Sequence, residues 1–173
     1  MQPRPRLKLS QAETEPRQFG TSHVFDLNEG LPALDRFNDI IALFDEKWDG
    51  KTLPQRLDYR FQDLRGWHSH FALTEMNSDL SDGSFRIMGS NFAQLFGGSI
   101  TQGSRLRDAR TERVGALISF FGRLLNTPAM GYFNGRLGYD GREHVNLEVL
   151  DIPATDRHGE LRYILSFARG IRA

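Results

Sequence analysis

The stretch SFRIMGSNFAQLFGGSITQGSRL, Ser84 to Leu106, decides the fold. Phe85 to Met88 has strand character, and Gly89-Ser90 breaks it. One helical turn follows over Asn91 to Phe96, where Phe92, Leu95 and Phe96 fall at i, i+3 and i+4 on one face. Gly97-Gly98 and the turn Thr101-Gln102-Gly103-Ser104 then lead to Leu106. The glycines suit a tight turn with positive φ. No lysine follows them, so this is not a phosphate-cradling P-loop.

Upstream, His70 to Met76 places Phe71 and Leu73 on one parity and reads as a first strand. The polar run Asn77 to Gly83 ends in Asp-Gly and joins that strand to the next as a hairpin. Downstream, Thr111 to Asn126 is a long amphipathic helix with Val114, Leu117, Ile118, Phe121, Leu124 and Leu125 on one face. Thr111 is its expected N-cap, and Thr127-Pro128 ends it. Three strands follow, at Ala129–Tyr139, Glu143–Ile152 and Glu160–Ile171. Asp140-Gly141 and Asp156 to Gly159 supply the turns between them. Val145, Leu147 and Val149 alternate with polar residues, as do Leu161, Tyr163, Leu165 and Phe167. This alternation predicts one core face and one wet face.

Nearer the N-terminus, Leu34, Phe37, Ile41, Phe44 and Trp48 recur at spacings of 3, 4, 3 and 4. They form one apolar stripe on a helix stopped by Asp49-Gly50. Residues 1–22 are rich in Pro, Arg, Gln, Glu and Ser and read as a mobile tail. The expected organisation is a flexible tail (1–22), an N-terminal helical extension and connector (23–66) and a core domain (67–173). The fold class is α+β: a five-stranded antiparallel sheet with helices on one face and an N-terminal amphipathic helix.

Three segments resemble the compact PAS family common in alphaproteobacteria. FRIMGS, LFG and ITQG within Ser84–Leu106 are similar to the family wording "FR-aliphatic-x-G-T/S … LFG … L/I-T-x-G … L". Trp48 to Arg56, WDGKTLPQR, is similar to the "G-x-(L/M)-P-x-R" segment that precedes the family's core. Glu148 to Gly159, EVLDIPATDRHG, resembles its fourth-to-fifth strand turn. The similarity spans about residues 34–171, with one departure: Gln102 lengthens the glycine turn by one residue.

The resemblance implies a stand-alone sensory or interaction module in signal transduction. It would bind a small molecule, a signalling protein, or both. The expected pocket lies between the sheet and its helices, with walls from Phe71, Leu73, Phe92, Leu95, Ile100, Leu117, Phe121, Leu147, Leu165 and Phe167. The stripe of Leu34, Phe37, Ile41, Phe44 and Trp48 is the expected homodimer contact. The residues name no cofactor. The flavin-binding PAS photoreceptors use a cysteine, and this chain has none. Haem-type PAS domains use an axial histidine on the connecting helix, and Thr111–Asn126 contains none.

Bulk composition narrows the classes further. The chain has 173 residues and zero formal net charge, with 22 basic and 22 acidic side chains, so nothing in it demands a nucleic-acid partner. The lack of cysteine excludes disulfides, thiolate zinc sites and thiol nucleophiles. No apolar run approaches the ~20 residues that span a bilayer. The basic N-terminus lacks the apolar region of a signal peptide, so a cytoplasmic location is expected.

Two other functional readings remain. His68-Ser69-His70-x4-Glu75 has the spacing of the first cupin motif, with His144 in a later strand. On a strand, residues i and i+2 share a face, so these side chains could grip a metal in an enzyme. Against this, Gly66 is too close to His68, and a cupin is nearly all strand. The expectation is therefore no metal site, no catalytic residues and no enzyme activity. The third reading is a purely structural dimerisation module with a solid core. Arg105, Arg107, Arg110 and Arg113, interleaved with Asp108 and Glu112, form either a salt-laced surface or a patch for an acidic partner. No G-x-S-x-G elbow and no kinase signature is present.

Overall fold

The computed structural model describes residues 2–95, 100–109, 114–137 and 145–171. In chain order the elements are β1 (Arg6–Leu7), β2 (Glu13–Arg17), β3 (Gly20–Asp26), β4 (Leu31–Pro32), α1 (Asn38–Lys47), β5 (Phe71–Met76), β6 (Gly83–Met88), α2 (Ser90–Leu95), α3 (Val114–Asn126), β7 (Ala129–Arg136), β8 (Asn146–Thr155) and β9 (Leu161–Ile171). From β5 onward this is the order that the PAS resemblance implies: two strands, a short helix, a long helix, three strands. The fold is α+β with one large antiparallel sheet and few helices. Thr111, Glu112 and His144, all of Phe96–Ser99, and the expected Asp140-Gly141 turn lie outside the described residues.

The sheet has seven strands in the order β2-β3-β7-β8-β9-β5-β6, not five. The two additional strands come from the N-terminal segment read as a mobile tail, and the expected boundary at residue 22 falls inside β3. β3 pairs with β7 from Gly20↔Gly135 to Asp26↔Ala129, and β2 folds back on β3 through a two-residue turn. The physical reason is edge pairing. β3 caps the open hydrogen-bonding edge of β7, which would otherwise be a template for aggregation. β2 is almost wholly exposed, and so has no buried-face pattern to read. The first contact is tight: a Cβ on Gly20 would sit 2.2 Å from the Asn134 carbonyl oxygen. A second clip, the parallel pair β1–β4, buries Leu7 and Leu31.

Both faces of the sheet are covered. On one face lie α1 and the connector, where Phe37, Ile41 and Phe44 pack with Trp67, Leu73, Leu150, Ile152, Leu165 and Phe167. On the other lies α3, where Ile118, Phe121, Leu124 and Leu125 pack with Met76, Phe85, Ala129 and Ile164. The wet face expected for the last strands therefore does not exist: Ile164 and Phe167, neighbours of opposite parity on β9, are both 0% exposed.

The same packing corrects the expected homodimer contact. Leu34, Phe37, Ile41 and Phe44 are all buried against the chain's own sheet. Trp48 is half-buried under the Arg4 guanidinium, 4.0 Å from its ring centroid. The helix begins at Asn38, four residues later than the stripe suggested, because Asp35–Phe37 forms a 3-10 turn. A single apolar face can be buried only once, and here it is spent within the chain.

Candidate functional site

Between α3 and the sheet the side chains leave a cavity of about 490 Å³. Its floor is the α3-facing parity of the central strands: Phe133 on β7, Leu147, Val149 and Asp151 on β8, and Ser166 on β9. Its roof is Val114, Leu117, Phe120 and Phe121 on α3. Phe92 of α2 and Ile100 also line it. The turn of the β2–β3 hairpin supplies a wall with Pro16, Arg17, Gln18 and Phe19. The segment expected to be a loose tail is thus a structural part of the site.

Strand register sets the polar part of the floor. Gly131, Asp151 and Ser166 are consecutive partners across β7, β8 and β9 and face the same way. Ser166 Oγ donates to Asp151 Oδ1 at 2.6 Å. Asp151 is 4% exposed. Burial raises its carboxyl to about 7, and the Ser166 hydrogen bond only partly offsets this. Gly131 lets α3 come down beside this pair, since a Cβ there would sit 2.6 Å from the Phe120 ring. Near the hairpin, Arg17 Nε donates to Ser22 Oγ at 3.1 Å, and its guanidinium meets Glu15 at 3.2 Å.

Of the ten pocket residues expected from the sequence, Phe92, Ile100, Leu117, Phe121 and Leu147 line this cavity. Phe71, Leu73, Leu165 and Phe167 lie on the opposite face, in the α1 core. Sequence alternation identified their parity as apolar, but both parities are buried, and the larger residues belong to the solid side. Leu95 packs on Gly170 and is not part of the lining. Asp151, Ser166, Phe120, Val149 and Arg17 were missed. One signal for Asp151 was present: it follows Leu147 and Val149 at spacing 2, an acidic residue in a core register.

The histidine constellation does not assemble. His68–His70 is a 3-10 turn and not a strand, so the shared-face argument fails there. The His68 ring stacks on Phe61 with centroids 3.9 Å apart. His70 meets Ser69 Oγ at 3.1 Å through Nδ1, and its Nε2 lies 3.3 Å from Asn91 Nδ2. Glu75 pairs with Arg86 and Arg162. Among the described residues no three His, Cys, Asp or Glu side chains gather as metal ligands. In the arginine run, Arg105 meets Asp108 at 3.4 Å and Arg107 donates to the Ser81 carbonyl; Arg110 and Arg113 lie outside the described residues. No helix among the described residues is long and apolar enough to cross a membrane.

Comparison with known proteins returned two similar solved structures. One is the crystal structure of a sensory box sensor histidine kinase from Vibrio cholerae, 13% identical with a TM-score of 0.43, covering 60% of this chain and 81% of that one. The other is the PAS domain of Bordetella pertussis BvgS, 18% identical with a TM-score of 0.37, covering 58% of this chain and 75% of that one. At these scores neither likeness bears on function. No family model matches the chain, and no curated protein matches it.

Proposed function

We propose that this chain is a PAS-type sensory module that holds a small, mainly apolar ligand between α3 and the sheet and passes the signal to a protein partner by contact. The cavity carries this reading. Its volume of about 490 Å³ lies within the usual range of ligand pockets, and it is walled by apolar side chains with one buried polar pair. A dimerisation module with a solid core would leave no such space. The element order from β5 to β9 and the sequence resemblance support the PAS assignment. Because the Leu34–Trp48 stripe is used internally, a partner or a second copy must use another surface. Leu57 and Phe61, 74% and 76% exposed on the connector, are the large apolar side chains most open to one among the described residues.

The test is binding of Nile red, a neutral solvatochromic dye, and its displacement by small-molecule extracts, with native mass spectrometry to detect any co-purified ligand. Wild type should bind the dye, and Leu117→Trp, which fills the cavity from its roof, should not. Equal dye binding by both proteins would remove the cavity as the site.

A further inference from the structure

Among the described residues that line the cavity, Asp151 is the one acidic side chain. Ser166 satisfies Oδ1. None of the ion pairs among the described residues involves Asp151. A carboxyl in such a place either keeps its proton or takes a cation from outside. The cavity offers the setting for a cation on an apolar body. Phe85, Phe92, Phe120, Phe121 and Phe133 all line it, and aromatic faces attract an ammonium as well as an aryl group.

The two arginines of the lining do not compete at this end. Arg136 follows Gly131, the register partner of Asp151, by five residues along β7, roughly 16 Å at strand rise. Arg17 pairs by register with Gly20, but its guanidinium reaches back to Ser22 and lies 5.8 Å from the Phe120 ring centroid, where Glu15 meets its charge. The cavity therefore has an acid on its floor without an ion-paired base, an arginine already paired with Glu15 on its wall, and phenylalanines between them.

We infer that the ligand is an arylalkylamine, with its ammonium on the Asp151 carboxylate and its ring among the α3 phenylalanines. This rests on the cavity being the ligand site, and it narrows the ligand to a chemical class. Ser166 acts as the positioning residue: by holding Oδ1 it turns the other carboxylate oxygen to the ligand. The buried carboxyl, costly as an isolated anion, becomes half of a charge-assisted hydrogen bond when the amine arrives.

The experiment is isothermal titration of the full chain with 2-(1-naphthyl)ethylamine and with the matched neutral alcohol, 2-(1-naphthyl)ethanol. Wild type should bind the amine at least about ten-fold more tightly than the alcohol, the ratio expected for one charge-assisted contact. In the near-isosteric D151N variant that preference should vanish, while alcohol affinity stays within about two-fold. Equal binding of amine and alcohol by wild type would overturn the inference and leave the cavity reading standing; this comparison needs no variant to fold. A preference that survives in D151N would overturn it too, by placing the ammonium elsewhere. If neither compound binds wild type that still takes up Nile red, the inference is overturned and the cavity reading stands; equal Nile red uptake by wild type and Leu117→Trp would remove both.

Discussion

Replacing Asp151 by Asn tests the buried floor of the cavity through its linkage to pH. An ordinary aspartate titrates near 3.9, and burial raises Asp151 to about 7. That gap is roughly three pH units at about 1.4 kcal/mol each, so the folded state favours the protonated carboxyl by roughly 4 kcal/mol. The sign follows from where the proton is held more tightly. The folded chain keeps it to higher pH than the unfolded chain, so Asp151's contribution is complete below about pH 4. It declines as pH rises and is lost above about pH 7. D151N has no proton to lose at this position, so its stability lacks this decline. The assay is urea unfolding of both proteins at a series of pH values, read by circular dichroism. Between pH 5 and pH 8 the stability of D151N relative to wild type should rise by roughly 3 kcal/mol. Groups common to both proteins cancel in the difference. His23, lowered by burial, is one of them, and its own contribution is lost as pH falls. A difference that stays constant across this range would refute the reasoning, because it would mean that a cation holds Asp151 ionised throughout.

Three further outcomes are expected. Phe44→Ala should destabilise the chain by about 3–5 kcal/mol in urea unfolding with no change in its mass by light scattering, because Phe44 packs on its own sheet; dissociation of a dimer without loss of stability would contradict this. Gly131→Ala should cost about 1–3 kcal/mol and weaken Nile red binding, since the added methyl displaces Phe120 and so deforms the cavity roof; unchanged stability and dye affinity would show that α3 yields freely. Removing residues 2–19 should abolish dye binding while keeping the far-ultraviolet spectrum of a sheet protein, because the hairpin turn is one wall of the cavity; retained dye binding would return the segment to the role of a tail.

What the sequence determined by itself was the set of elements whose apolar residues repeat locally. The period of Leu117, Phe121, Leu124 and Leu125 marked α3, and the Asp-Gly turn marked the β5–β6 hairpin, because these signals depend only on neighbours in the chain. The element order followed, and with it an α+β fold on one antiparallel sheet. Five of the lining residues were also legible: Phe92, Leu117 and Phe121 because a large side chain on the inner face of α2 or α3 must meet the sheet, Leu147 from strand alternation, and Ile100 as the apolar residue of the glycine turn. Tertiary structure alone decided three things. It chose between two destinations for the Leu34–Phe44 stripe, a second chain or the chain's own sheet, which demand the same amphipathic pattern. It drew Glu13–Asp26 into the sheet, where backbone hydrogen bonds to β7 hold the segment and only Val24 and Phe25 of its side chains join the core, too short an apolar run to mark a strand by patterning. And it assigned the parities of β8 and β9. With both faces buried, hydrophobicity cannot say which side is solid, and only the helices packed above show that Asp151 and Ser166, not Leu165 and Phe167, look into the open space.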